Sequence, residues 1–514
     1  MTEPDTFRQG TVVKPYERLN AEQIELLDDA SMKILEETGI WCYNMRAAEL
    51  FAANGARVED EPGAGAPCKR VYFPPAMVRK YIAMAPSKIV LGARDPQNRL
   101  LLDAEVPRVY FGSGSETNVW LETELEEFQS TSDPKRKLTA PRYTEKRGDA
   151  LLLARAARLG EQLEHLDFFI RPVNVQDSDI SEDDHDVNKF FACLNNITKH
   201  VQAGLTTQNS LNKVLKMAEI VAGGSEELRQ NPVVSFITCV FKSPLQMVED
   251  TTDKVFDIVE AGMPLVISSS PQGGSSAPIQ EAGMVAQINA EILAGVMLTQ
   301  LIKPGAPVLY GSVAVRARLD DLHDLYGCPE FNQYNNDTAQ MARHYKIPCY
   351  SSSGVGNAST PGMQASFEKV FTHLYMGLTG AQYIHYSFGL LERTNTFCPL
   401  QALLDNEQVG LVKHCLRPPK VDAESIEEVR KMITKVMKSS HRLFTRHTRK
   451  ATHAGEISEP YKFGAKEQQD GVIPRAVAEL AKVEARPGKH LPAELQAKIR
   501  AEVPGIVDRL FTDK

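Results

Sequence analysis

Residues 280–312 read QEAGMVAQINAEILAGVMLTQLIKPGAPVLYGS. A long helical pattern, QEAGMVAQINAEILAGVMLTQLI, runs into a short apolar, aromatic stretch, PVLYGS (307–312), which is the signature of a strand. The unit repeats on both sides. Upstream, PLVISSS (264–270) follows the helical LQMVEDTTDKVFDIVEAG. Downstream, PCYSSS (348–353) precedes MQASFEKVFTHLYMGLTG, in which Phe367, Val370, Phe371, Leu374 and Leu378 form one stripe. RVYFG (108–112), HLDFFI (165–170), KHVQAG (199–204), VVSFITCV (233–240) and QYIHYSF (382–388) complete the series. Strands alternating with helices imply βαβ units and a parallel sheet. Eight of them are the number that closes a (β/α)8 TIM barrel, the α/β fold expected here. No GxGxxG opens a helix after any of these strands, which argues against an open dinucleotide-binding sheet.

The flanks differ. In LNAEQIELLDDASMKILEETG (19–39), Ile24, Leu27, Met32, Ile34 and Leu35 mark an apolar helical face. Asn20 can cap its start and Gly39 can stop it. Residues 1–107 are therefore expected to be an N-terminal helical cap, 108–420 the barrel and 421–514 a C-terminal helical extension.

Composition excludes several classes. A formal net charge of -8 gives no basic footprint for nucleic acid. Eight cysteines stand singly without a CxxC pair, as suits reduced thiols. Apolar runs are broken by charge or Gln within about a dozen residues, too short to cross a bilayer. A soluble, cytoplasmic chain is expected, with no membrane or nucleic-acid partner. No HExxH, P-loop or GxSxG occurs. His441, His447 and His453 recur every six residues, a spacing that places them on no common helical face, so no metal site is expected.

A barrel does its chemistry at the C-terminal ends of its strands. Here these ends are small, hydroxylated or aromatic, with few charges, which suits a bulky cation with no proton to exchange. Aromatic faces attract quaternary ammonium groups, and Tyr110, Phe111, Phe236, Phe241, Tyr310, Tyr350, Tyr383, Tyr386 and Phe388 lie near the strand ends, with Phe111, Phe236, Tyr350 and Tyr383 the chosen candidates, although alternate strand positions also simply fill a core. His385 reads equally as a substrate hydrogen-bond donor, a proton carrier or a structural residue. Glu330 and Asn335, in GCPEFNQYNND (327–337), could face the pocket, or Glu330 could be a first-turn helix acid. Arg316 could pair with a substrate carboxylate or lie solvated on its loop.

Three passages carry a family resemblance: SSAPIQEAGMVAQINAEILAGVMLTQLIKPGAPVLYGS (275–312), GCPEFNQYNNDTAQMARHYKIPCYSSSGVGNASTPGMQASFEK (327–369) and LNAEQIELLDDASMKILEETGI (19–40). From about residue 19 to about 460 the chain resembles the trimethylamine methyltransferase superfamily of corrinoid-dependent methyltransferases, whose fold is a (β/α)8 barrel. Matching GNASTPGMQASFEK to the family puts Gly356 at or next to the position that holds pyrrolysine in the archaeal trimethylamine enzymes. The resemblance thus implies a non-pyrrolysine member of the glycine betaine:corrinoid type. It would bind no cofactor tightly and would use the cobalt(I) corrinoid of a cognate protein. It would also be a homo-oligomer.

The chemistry fits that loss. A tertiary amine is a poor methyl donor until its nitrogen is made cationic. A quaternary amine is already cationic and leaves as a neutral tertiary amine. It needs desolvation, an aimed methyl and a nucleophile within reach. Gly356 would leave room for the larger donor and Asn357 could orient it; alternatively, Gly354 and Gly356 only allow positive φ in a turn. No acid–base residue is expected. Carnitine, proline betaine and choline are alternative donors, and a betaine-binding barrel without catalysis is the alternative of another class.

Overall fold

The computed structural model describes residues 4–132, 135, 137–440, 443–458, 461–464 and 471–512. All eight expected strands form: β1 (Arg108–Phe111), β2 (Phe168–Ile170), β3 (His200–Ala203), β4 (Val234–Cys239), β5 (Leu265–Ser269), β6 (Val308–Ser312), β7 (Cys349–Ser352) and β8 (Tyr383–His385). They belong to one curled nine-stranded sheet. Thr11–Val12 pairs antiparallel with β1, and β8, β7, β6, β5, β4, β3 and β2 follow in parallel order. At the sheet's two parallel ends, Gly112 forms a parallel bridge to Phe168, and the Asp167 N–H donates to the Phe111 carbonyl at 2.7 Å.

Strand parity sorts the side chains. Tyr110, Phe168, Ile170, Val266, Leu309, Tyr350 and Tyr383 form one cluster on the concave face. Their neighbours Phe111, Phe169, Phe236, Ile267, Tyr310 and Ile384 point the other way, into a larger cluster shared with the helices. A hairpin of Lys88–Leu91 and Leu100–Asp103 closes the concave face from below. Its Ile89, Leu91, Leu100 and Leu102 join the inner cluster. It is tied to the strands' N-terminal ends by Gly92 N–H to the Pro232 carbonyl at 3.0 Å and by the Gln382 amide to the Asp103 carbonyl at 3.2 Å.

The helix Glu281–Ile302 is long and apolar enough to span a membrane by length and composition, contrary to the expectation from charge interruptions, but 89% of its most apolar window is buried inside the protein. Its polar residues are satisfied internally. Glu291 accepts from the Leu245 N–H at 2.9 Å and the Ser243 hydroxyl at 2.8 Å. The Asn289 amide donates to Ser31 and accepts from the Tyr310 hydroxyl, both at 2.9 Å. Burying such groups is tolerable only when they are paired.

Residues before 108 are not purely helical. Helices Ala21–Lys33, Met45–Ala53 and Pro75–Ile82 alternate with strands Ile40–Cys42, Arg57–Asp60 and Lys69–Tyr72. Asn20 does cap the first helix, accepting from the Gln23 N–H at 2.9 Å. A long hairpin, Val119–Gln129 with Lys137–Arg147, was not anticipated. Its outer half is exposed on both faces, so no apolar alternation marks it. Beyond residue 420 the described residues form helices Ala423–Met437, Thr445–His453, Val472–Glu484 and Ala493–Glu502. His441 lies outside the described residues.

Candidate functional site

A cavity of about 440 Å3 opens at the C-terminal ends of the strands. That volume is in the range of small-molecule sites. Its walls come from the ends of β1 to β4, β7 and β8 and from the helix Glu249–Glu260.

One wall is aromatic. Tyr350 on β7 stacks on His385 of β8 with centroids 4.2 Å apart, and His385 lies 3.6 Å from the Tyr386 ring. The His385 Nε2 is 2.6 Å from the Ser352 hydroxyl, while its Nδ1 has no hydrogen-bond partner. Burial holds the imidazole well below its ordinary range, so it is neutral. Tyr386 has φ +66°, a left-handed conformation uncommon for a bulky residue, and such strain collects at functional sites. Gly114 makes the wall possible. A Cβ there would fall 2.9 Å from the Tyr386 ring and 3.0 Å from the His385 Nδ1.

Another part of the lining is charged. Arg171 follows β2 and is only 2% exposed. One terminal nitrogen pairs with Glu116, while Nε and Nη1 have no partner. Burial lowers its pKa to about 10, opposed by Asp186, so it stays protonated at neutral pH. Asp186 itself is committed to Lys189 at 2.5 Å, to the Thr206 N–H at 2.8 Å and to the Thr206 hydroxyl at 2.9 Å. Burial and the Arg171 charge push Lys189 down to about 7, and Asp186 offsets part of that. Lys254 reaches the Thr206 carbonyl at 2.9 Å and Asp250 at 2.8 Å. Ser115, Thr238 and Cys239 fill the lining between.

Of the residues singled out in the sequence, Tyr350, His385 and Tyr386 line this cavity. Tyr383 lies one layer deeper, stacked on Phe168 at 3.6 Å and on Tyr350 at 5.9 Å. Phe111 and Phe236 do not line it, because their strand parity turns them outward; Phe236 meets Phe190 at 5.6 Å. Arg316 pairs with Glu330 at 3.1 Å, and neither lines the cavity. Asn335 holds the turn after β6, accepting from the Ser312 hydroxyl at 2.8 Å.

Gly356 and Asn357 also lie off the cavity lining. Their loop is fixed from beneath. Glu368 accepts from the Asn357 N–H at 2.7 Å, and Lys369 donates to the Gly354 and Leu390 carbonyls. A Cβ on Gly356 would meet the Glu368 carboxylate at 2.4 Å, so here glycine serves close packing rather than cavity room. Of the two glycines, only Gly354 has positive φ, +69°. The sequence reading missed Arg171, Glu116 and Lys254. The IRP ending of β2 was the available signal for Arg171, because a residue before proline is held extended.

Among the described residues one carboxylate–histidine group has metal-like spacing, Glu25, Asp28 and His344. It lies away from the cavity, and Asp28 already accepts from the Tyr345 hydroxyl at 2.6 Å and pairs with Arg79 at 2.6 Å.

A family model described as trimethylamine methyltransferase (MTTB) matches residues 5–454. The chain is 32% identical over 406 residues to "Trimethylamine methyltransferase MttB" of Desulfitobacterium hafniense (strain DSM 10664 / DCB-2), covering 79% of this chain and 76% of that one. It is 27% identical over 452 residues to "Glycine betaine methyltransferase" of Desulfitobacterium hafniense (strain Y51), covering 88% and 87%. It is 27% identical over 416 residues to "Trimethylamine methyltransferase MttB" of Methanosarcina thermophila, covering 80% of each.

Proposed function

Because the chain belongs to the trimethylamine methyltransferase family and is an amine methyltransferase, we propose that it moves a methyl group from a quaternary amine to a cognate corrinoid protein. Glycine betaine is the first candidate donor. The observation that carries this reading is the wall of Tyr350, neutral His385 and Tyr386 facing a small cavity at the strands' C-terminal ends. We also read the curled sheet as a (β/α)8 barrel. The Gly112–Phe168 bridge and the hydrogen bond from Asp167 to Phe111 support closure between β1 and β2.

The cavity of about 440 Å3 suits a small amine rather than a corrin macrocycle, which supports a corrinoid carried on its own protein and presented at the mouth. The partner's reduced cobalt would supply the nucleophile. This chain's residues do the rest. The π faces of Tyr350 and Tyr386 replace the water around the cationic head, and cation–π attraction contributes about 0.5–2 kcal/mol. Gly114 and the unpartnered side of His385 leave the surface around the head smooth, so a methyl can point toward the mouth. When the C–N bond breaks, its electron pair stays on nitrogen, so a neutral tertiary amine leaves and no proton is required. A neutral imidazole is consistent with that, because it adds no positive charge beside the cation.

The test mixes the protein with reduced corrinoid protein and a panel of quaternary and tertiary amines, and follows the Co(I) to methyl-Co(III) absorbance change with and without EDTA. Turnover of a quaternary amine, indifferent to EDTA, is expected. Turnover of trimethylamine alone would overturn the reading.

A further inference from the structure

Arg171 is the one charged side chain of the cavity lining that is almost fully buried while two of its donors lack partners. A guanidinium offers five N–H donors in a planar fork that matches a carboxylate two-on-two. Leaving buried donors unmade costs about 1–3 kcal/mol each. The neighbouring acids do not relieve Arg171. Asp186 is saturated by Lys189, Thr206 and Ser210, and Asp250 is held by Lys254. Glu116 does reach Arg171, but from a side chain 57% exposed at the cavity's rim, and it engages a single terminal nitrogen. Pro172 follows directly and restricts the Arg171 backbone. The Arg171 N–H is also fixed on the Gln202 carbonyl at 3.2 Å. The position is therefore rigid and charged.

The aromatic residues of β7 and β8 line the same cavity as this guanidinium. The aromatic part of the lining thus favours a cation without hydrogen-bond donors, and the guanidinium favours an anion with two acceptors. Resting on the methyl-transfer reading, we infer that Arg171 is the specificity-determining residue for the donor's tail and selects quaternary amines that carry a carboxylate. This displaces Arg316 from that role, since Arg316 is spent on Glu330 outside the cavity. The carboxylate takes Nη1 together with one Nη2 hydrogen, and Glu116 keeps the other Nη2 hydrogen as the outer partner.

The experiment measures binding by calorimetry without corrinoid protein, and methyl transfer with it. Glycine betaine, carnitine and proline betaine are the carboxylate-bearing probes; choline and tetramethylammonium lack the group. In the native chain at least one carboxylate-bearing probe is expected to bind best. Arg171→Gln should weaken that probe by about 30–100-fold, as for a lost charge-assisted pair, and change tetramethylammonium binding less than about threefold. Arg171→Lys keeps the charge, loses the fork and should fall between; it carries the test if the Gln variant does not fold. Equal weakening of all probes, or no weakening, would overturn the inference. If Arg171 governs carboxylate binding yet no probe gives up a methyl, the methyl-transfer reading fails and this inference stands. If methyl transfer proceeds with the same preference in both variants, the reverse holds.

Discussion

The two faces of the same eight strands hold similar residues and do different work. On the concave face, Tyr350 and His385 end in a cavity; on the convex face, Phe111 and Phe236 are clamped under helices. Phe111 packs on the helix carrying His373, whose imidazole meets it edge-on at 6.3 Å. An aromatic side chain at a strand end is thus a candidate cation binder only when its parity is right, because a shift of one residue moves it from the ligand to the core.

The largest way to break this contrast is Phe236→Ala. Its cost is expected as stability, about 3–5 kcal/mol for a fully buried ring, measured by denaturant unfolding, with the Michaelis constant of the folded fraction unchanged. A raised Michaelis constant at full stability would erase the distinction. Tyr350→Leu is the counterpart. It keeps apolar volume, removes the π face and should weaken the bound quaternary amine by about 3–30-fold, equally for probes with and without a carboxylate, in the same calorimetric assay. A tail-dependent effect would mean that the two walls are not separate.

The smallest effect sharpens the comparison through pH. His200 on the concave face is pushed down to about 4 by burial, and His373, behind the sheet, to about 3 by burial and the Lys369 charge. Below pH 6.5 the unfolded chain takes up these protons and the folded chain does not. Stability should therefore be level above pH 6.5 and fall as pH drops toward 4, by up to about 1.4 kcal/mol per unit for each group. His373→Gln should make that fall less steep in unfolding titrations between pH 7.5 and 5. An unchanged slope would show that His373 titrates alike in both states.

The strand series was legible because each run is short, apolar and bounded by turn residues; from RVYFG to QYIHYSF, each run contains a strand. The β2 strand is only Phe168–Ile170, shorter than the HLDFFI run suggested, because Asp167 turns to take up Lys413 at 2.7 Å and the Phe111 N–H at 2.8 Å. Of the N-terminal strands, the RVYFP run (70–74) marks Lys69–Tyr72, whereas Arg57–Asp60 escaped notice because it is a charged edge strand without a clean period. The site was legible in residue type and only partly in place. Tyr350 and His385 sit at strand ends whose parity turns them to the concave face of the curled sheet. Arg171 was hidden because nothing local distinguishes a buried guanidinium from a solvated one; its partners Glu116 and Gln202 are far along the chain. The Gly356 loop misled for the opposite reason, since bareness in sequence suggested space where Glu368 and Lys369 fill it.

The hairpin of Lys88–Leu91 and Leu100–Asp103 stops the concave face from below with Ile89, Leu91, Leu100 and Leu102. Entry and departure must then share one doorway. On the methyl-transfer reading, an acceptor protein seated there would lock the spent amine in, each turnover would have to include its undocking, and crowding by that acceptor would slow the cycle rather than speed it.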